Sequence, residues 1–209
     1  MATTRARARL AASQAPIGRA FRKNAAVLQI AILILGLAVA WTHGIRTLPL
    51  PSAPWQWVLV LPAVAIGETL RWLSWKSMTV DQRRALWVRH ILPTRAELPE
   101  WIALTLLAAV AEEITYRGLL FGILATATGS VVLASVLCAA SFGAAHAPQG
   151  IRSQAVIGTL SLVLHGVVIA TGSLLPAMVV HAVANIISGI RAPKRFRDLD
   201  PMPTDTPAG

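Results

Sequence analysis

Charged residues are scarce in this chain. Of its 209 residues, 13% are Asp, Glu, Lys or Arg, whereas soluble domains usually carry about 25%. Hydrophobic residues make up 55% of the sequence, and the mean hydropathy is +0.61. A water-soluble fold of this composition would lack the polar side chains to cover its surface, and a disordered chain would be far more polar. The composition therefore predicts a polytopic membrane protein.

Cysteine is almost absent as well. Cys138 is the single cysteine and lies within an apolar run, so an intramolecular disulfide framework is excluded. No basic residue close to Cys138 in the sequence would activate its thiol. Ser141 is near His146 in the sequence but falls on a different face of the expected helix. The sequence therefore does not favour a cysteine or serine protease.

Acidic residues are few, with 9 Asp and Glu against 19 Lys and Arg, and the formal net charge is +10. Most basic residues form three clusters beside apolar runs, namely Arg5, Arg7, Arg9, Arg19, Arg22 and Lys23, then Arg71, Lys76, Arg83, Arg84, Arg89 and Arg95, then Arg191, Lys194, Arg195 and Arg197. Such clusters are typical of cytoplasmic loops and attract anionic lipid head groups. Because no aromatic-interleaved basic surface accompanies them, we expect the lipid bilayer as a partner and no nucleic acid.

Long apolar runs fill the rest of the chain. They cover residues 25–41, 55–72, 100–126, 131–146, 154–171 and 174–190, and a bilayer core requires about 20 apolar residues per helix. The predicted fold class is all-α, a polytopic membrane bundle of about six transmembrane helices with an interfacial amphipathic helix over residues 74–99. Six spans place both termini on one side, which the basic clusters identify as the cytoplasm. The Ala-, Arg- and Gly-rich composition favours a bacterial inner (cell) membrane.

Ionisable and polar side chains interrupt three of these runs. They are costly at membrane depth and are therefore functional candidates. The first of these three, the run over residues 100–126, holds Glu112, Glu113 and Arg117. On an α-helix, Glu113 and Arg117 are neighbours at i,i+4 and are predicted to pair, whereas Glu112 points elsewhere, nearer Tyr116, and remains available. An ion-pair network that only holds helices together is the structural alternative.

The other two interrupted runs carry pairs of side chains at the same i,i+4 spacing. Phe142 and His146 share one helix face, and His181 and Asn185 share another. Taken alone, each pair is equally compatible with a structural role, as a helix-end histidine or an interhelical hydrogen bond. His165 is predicted to be a packing or pore-lining residue.

In chain order, the motifs are Glu112-Glu113-x-x-x-Arg117, Phe142-x-x-x-His146 and His181-x-x-x-Asn185. Over residues 99–191 the sequence resembles the CAAX-protease and bacteriocin-processing (CPBP/Abi) family of intramembrane glutamic endopeptidases, which includes the type II CAAX prenyl endopeptidase. The resemblance implies cleavage of a membrane-anchored protein or peptide near its C-terminus, without an acyl-enzyme. In the combined interpretation, Glu112 is the general base and His146 is its partner at the water. Asn185 and His181 form the oxyanion site. The remaining motif residues tune the site, namely Glu113, Arg117 and Phe142.

Two alternatives stay open. Two histidines and a glutamate could ligate zinc, but no His-Glu-x-x-His motif is present, so the expected enzyme needs no cofactor or metal. The other alternative is a non-proteolytic membrane protein, either a bacteriocin-immunity or scaffold factor or a small proton-coupled transporter. A transporter usually shows an internal repeat, and no convincing similarity relates the first three spans to the last three.

The predicted organisation has four parts. Residues 1–24 form a basic cytoplasmic segment, 25–98 two transmembrane helices and a cytoplasmic amphipathic segment, 99–191 the catalytic core of the family, and 192–209 a disordered cytoplasmic tail. An alternative places a signal-peptidase site after Ala38-Val-Ala40, where cleavage would remove the first span and leave the remaining topology unchanged.

Overall fold

A computed structural model describes residues 2–42, 53–83 and 97–197, and within these ranges the chain is helical with no β-strand. Seven α-helices are described: α1 (Ala2–Thr42), α2 (Val60–Lys76), α3 (Leu98–Glu112), α4 (Phe121–Thr128), α5 (Val131–Ala145), α6 (Ile151–Thr171) and α7 (Leu175–Arg197). Short 3₁₀ turns over Pro54–Leu59 and Ala147–Gln149 precede α2 and α6, and a π-helical segment (Glu113–Leu120) joins α3 to α4. The predicted all-α bundle is confirmed.

The helices have the length and composition of membrane spans. Among the described residues, the stretches Ala20–Thr42, Pro54–Lys76 and Ile151–Thr171 are long and apolar enough to cross a bilayer, and Val131–Ala145 and Leu175–Arg191 are shorter apolar helices. Large apolar side chains face outwards, for example Leu61 at 76% and Val132 at 74% exposure. Such a surface suits lipid rather than water. The six predicted runs all fall on helical stretches, and the third run corresponds to α3, the π segment and α4 together.

Glycines end two of the helices and turn the chain back. Gly129 follows α4 with φ +65°, and Gly172 follows α6 with φ +63°, a left-handed conformation that glycine adopts without strain. Ser130 then caps α5, since its hydroxyl oxygen accepts the backbone N–H of Leu133 at 3.2 Å. The result is two tight helical hairpins, α4–α5 and α6–α7.

The bundle packs with α3 between α1 and α7, with α5 against α6, and with α2 against α6 and α7. Small residues permit these approaches: a Cβ on Gly143 would lie 3.0 Å from the Gln154 carbonyl oxygen of α6, as expected for helix contacts in membranes. One core cluster joins Ala63 of α2 to Leu164 of α6 and Val180 of α7. This packing carries the motif-bearing helices α3, α5 and α7 to a common interior.

Some predicted boundaries differ from the structure or lie beyond it. The basic N-terminal segment is helical from Ala2, as the beginning of α1, and α7 continues to Arg197, past the boundary predicted at residue 191. The helix therefore includes residues that were assigned to the disordered tail. Half of the predicted interfacial helix, residues 84–96, and the remaining tail, residues 198–209, lie outside the described residues.

Candidate active site

The first motif lies where the helix changes type. From Glu113 to Leu120 the chain is π-helical, and the backbone N–H of Phe121 bonds to the carbonyl of Tyr116, five residues earlier. The sequence-based prediction assumed a regular α-helix throughout, with bonds that span four residues. π-helical turns are rare and are found most often at functional sites. Here the segment begins at the second of the two adjacent glutamates.

Cys138 supports this segment from α5. Its thiol donates to the Tyr116 carbonyl oxygen at 3.1 Å, the same oxygen that accepts the Phe121 N–H. The sulfur is fully buried. The one cysteine of the chain is therefore a hydrogen-bond donor that supports the π segment.

Glu113 is buried inside the bundle, where it binds Arg117 and His181. Its side chain is completely buried, and one oxygen, Oε1, accepts from Arg117 Nη1 at 3.1 Å and from His181 Nδ1 at 2.8 Å. Arg117 also donates through Nη2 to the Ser161 hydroxyl at 2.7 Å. The predicted Glu113–Arg117 pair is confirmed, and its extra hydrogen bonds offset part of the cost of burying both charges, while Glu113 Oε2 and Arg117 Nε have no hydrogen-bond partner among the described residues.

Glu112 faces the opposite side of the same imidazole. Its Oε2 lies 3.7 Å from His181 Nε2, and its Oε1 accepts from Gln29 Nε2 of α1 at 2.6 Å. The sequence did not predict that both carboxylates reach His181, which they do from the junction between α3 and the π segment. The side chains of Glu112 and His181 are 13% and 10% exposed, whereas that of Glu113 is 0% exposed. Any water or substrate therefore meets Glu112 and not Glu113.

Phe142 organises the second motif. Its buried ring has its centroid 4.8 Å from that of His146, 6.2 Å from that of His181 and 4.8 Å from that of Tyr116, and the Arg117 guanidinium lies 4.5 Å from its centre. The aromatic ring thus contacts both motif histidines and covers the buried arginine. Residues from all three motifs meet around Phe142, as the sequence predicted for one shared site.

His146 ends α5 and is oriented by its own helix. Its Nδ1 bonds to the Phe142 carbonyl oxygen at 2.8 Å. A carbonyl only accepts, so Nδ1 carries the proton and Nε2 of the neutral ring is left as an acceptor. This bond is also the one that a purely structural helix-end histidine would make. The ring remains partly exposed.

Asn185 lies one turn beyond His181 on α7 and is partly buried. Among the described residues its side chain has no hydrogen-bond partner. The predicted role as an oxyanion donor thus stays a prediction.

His165 lies deeper in the core than the site. It is 1% exposed, its Nδ1 donates to the Ser161 carbonyl oxygen at 2.8 Å, and its ring contacts Phe121 at 5.2 Å. It is therefore a packing residue, one of the two roles predicted for it.

Two residues near the site were not predicted, Gln29 and Ser161. Gln29 is the single polar side chain in its apolar run, residues 25–41, which is a signal that could have marked it. Ser161 lies one turn before His165, and its link to Arg117 depends on how α6 packs. Among the described residues, no three His, Cys, Asp or Glu side chains are close enough together to hold a metal ion.

Comparison with known proteins gives one match. The family model described as type II CAAX prenyl endopeptidase Rce1-like matches residues 94–187, a little under half of the chain. This range contains all three motifs and the helices from α3 to most of α7. No curated protein and no solved structure matches the chain. With its apolar helices the chain is an integral membrane protein, and its residues 94–187 are similar to the type II CAAX prenyl endopeptidase Rce1-like family.

Proposed function

We propose that this protein is an intramembrane endopeptidase of the glutamic type, which hydrolyses a peptide bond with a water activated by Glu112 and His181. The observation that carries the proposal is the arrangement of His181 between two carboxylates, with Glu113 on Nδ1 at 2.8 Å and Glu112 facing Nε2 at 3.7 Å. The family match adds support, since its description names an endopeptidase.

The hydrogen bond to Glu113 fixes the imidazole for this task. An ionised carboxylate only accepts, so His181 donates from Nδ1, and Nε2 of the neutral ring is an acceptor. Glu112 Oε2 is an acceptor too, and 3.7 Å is too long for a direct hydrogen bond. A water that donates one O–H to each acceptor satisfies both and presents its oxygen lone pair to a substrate carbonyl.

Catalysis then follows as acid–base chemistry with no covalent intermediate. Glu112 takes a proton as the water oxygen adds to the scissile carbonyl, and the same proton passes to the leaving nitrogen when the C–N bond breaks. The products are a carboxylic acid, which then loses its proton to solvent, and an amine. Asn185 supplies an amide donor for the oxyanion, and His146, whose ring contacts Phe142, is the second partner for the water. Arg117 and Phe142 hold Glu113 and the histidines in place.

The substrate in this proposal is a membrane-anchored protein or peptide cut near its C-terminus. The name of the matched family refers to prenylated CAAX proteins, which makes a prenylated CAAX peptide the first probe. The site lies within apolar helices, so a lipid-anchored or membrane-embedded segment reaches it more readily than a soluble peptide. We place the protein in a bacterial inner membrane with both termini cytoplasmic.

The experiment compares wild type with Glu112→Gln in membranes by mapping the termini of membrane proteins with mass spectrometry. We expect a set of new C-termini only with wild type, and on the purified protein a loss of about 10²–10⁴-fold in peptide cleavage, typical of removing a general base. Glu68→Gln is the matched control, because Glu68 pairs with Arg71 and Arg191 away from the motifs.

The same experiment separates the alternatives. Identical termini in both samples, with no cleavage of the prenylated peptide, would contradict the proposal and favour an immunity, scaffold or transport role. A strong chelator added to the wild-type protein tests the zinc variant of the mechanism. We expect turnover to persist, because the proposed water is held by two acceptors of the chain itself.

A further inference from the structure

Helix α1 lies outside the family match, yet it reaches the proposed catalytic carboxylate. Gln29 Nε2 donates to Glu112 Oε1 at 2.6 Å. We propose that Gln29 is a positioning residue, which holds Glu112 so that its other oxygen faces His181. This inference rests on the proposed function, because it concerns the same water-activating pair.

The orientation of the amide follows from its partners. The carboxylate can only accept hydrogen bonds from its neighbour, so the NH₂ group of Gln29 must face Glu112. The amide oxygen of Gln29 is buried and has no hydrogen-bond partner among the described residues. An unpaired buried oxygen is costly, and this cost is tolerated beside the catalytic candidate. The bond to Glu112 is the one polar contact that the Gln29 side chain makes within the described part of the chain.

Helix α1 is docked firmly enough to serve this purpose. Arg22, Gln29 and Gly36 are spaced by two helical turns and so lie on one face of α1. Arg22 is 1% exposed and forms ion pairs with Glu97 and, at 3.2 Å, with Glu100.

At the other end of this face, α1 approaches the π segment closely. A Cβ on Gly36 would lie 3.0 Å from the Thr115 hydroxyl. Successive residues on this face of α1 therefore contact successive parts of α3 and the π segment. Gln29 lies between two such contacts, the ion pairs of Arg22 and the close approach at Gly36.

Positioning makes a specific prediction about the carboxylate. With Oε1 tied to Gln29, Glu112 cannot rotate freely, and Oε2 stays 3.7 Å from His181 Nε2. Without the amide, the Glu112 side chain samples other rotamers, and the water loses one of its two acceptors for part of the time. Such a change slows the chemical step and leaves substrate binding intact.

The test uses Gln29→Met, which keeps the length and flexibility of the side chain and removes the amide. With the full-length protein in liposomes and a prenylated CAAX peptide as the probe, kcat should fall about 10- to 100-fold while KM stays the same, as for other lost contacts that orient a charged catalytic group. Gln29→Asn should recover part of the loss if its shorter amide reaches Glu112. Leu28→Met is the matched control, because Leu28 is 58% exposed on the outside of α1.

A double-mutant cycle distinguishes positioning from a structural role. In a Glu112→Asp background the carboxylate is already withdrawn from Gln29, so adding Gln29→Met should cost little more. Equal losses in both backgrounds, a rise in KM, or a lower unfolding temperature for Gln29→Met would overturn the inference.

Failure of this inference can be distinguished from failure of the proposed function. If wild type cleaves and Glu112→Gln does not, while Gln29→Met matches wild type, the inference fails and the proposed function stands. If wild type cleaves nothing, in the peptide assay or in the termini map, both fail.

Discussion

The buried ion pair between Glu113 and Arg117 should be far more important for stability than any pair at the surface of the bundle. We consider Arg117→Met, which keeps the aliphatic bulk beneath Phe142 and removes the guanidinium. Glu113, whose side chain is 0% exposed, would lose the cation 3.1 Å away. Breaking a buried pair by removing one partner costs about 3–5 kcal/mol in the free energy of unfolding, because an uncompensated charge remains.

The assay is equilibrium unfolding in mixed micelles, followed by the fluorescence of the seven tryptophans. Arg191→Met is the matched control, since Arg191 pairs with Glu68 but its side chain is 54% exposed, and such pairs contribute about 0–1 kcal/mol. A double variant, Glu113→Gln with Arg117→Met, should recover part of the loss because it leaves no unpaired charge. The reasoning is refuted if Arg117→Met unfolds as readily as Arg191→Met, or if the double variant is no better than the single one.

Two further predictions follow from single contacts. Cys138→Ala should keep peptide cleavage and give an enzyme insensitive to thiol reagents, because the thiol only donates to the Tyr116 carbonyl; loss of cleavage with retained folding would point to a role in chemistry. Gly189→Ala should destabilise the bundle by about 1–3 kcal/mol through overpacking, since its Cβ would lie 2.2 Å from Trp101 Nε1. Gly122→Ala is the control with no neighbour within 4 Å of the new Cβ, and equal unfolding midpoints for the two variants would contradict the packing between α3 and α7.

The helices themselves were predictable from the sequence. Each apolar run is long, the polar side chains within three of them do not end the helical stretch, and Gly129 and Gly172 mark turns that only a few residue types adopt. The pair Glu113–Arg117 was predictable too, because an i,i+4 spacing brings the two side chains together in the helix that contains both. These are local consequences of chain geometry.

The details of the site were less predictable, for two physical reasons. A regular α-helix separates Glu112 from Glu113 by about 100°, so the spacing alone did not predict that both reach His181, and nothing in the local sequence indicates the π-helical segment that begins at Glu113. Gln29 and Glu112 are 83 positions apart, so their contact depends on how two distant helices pack. The candidate motifs were thus found from spacing, while their hydrogen-bond partners were not.

The distribution of the site along the chain has a consequence for biosynthesis. Gln29 is on α1 and His181 is on α7, the first and the last of the described helices. Membrane helices are made and inserted from the N-terminus onwards, so Glu112 leaves the ribosome long before the imidazole that completes the proposed water site. A partly synthesised chain therefore holds a carboxylate with no histidine partner from α7 and would have no hydrolytic activity. The proposed cleavage could begin only when the whole bundle has been assembled.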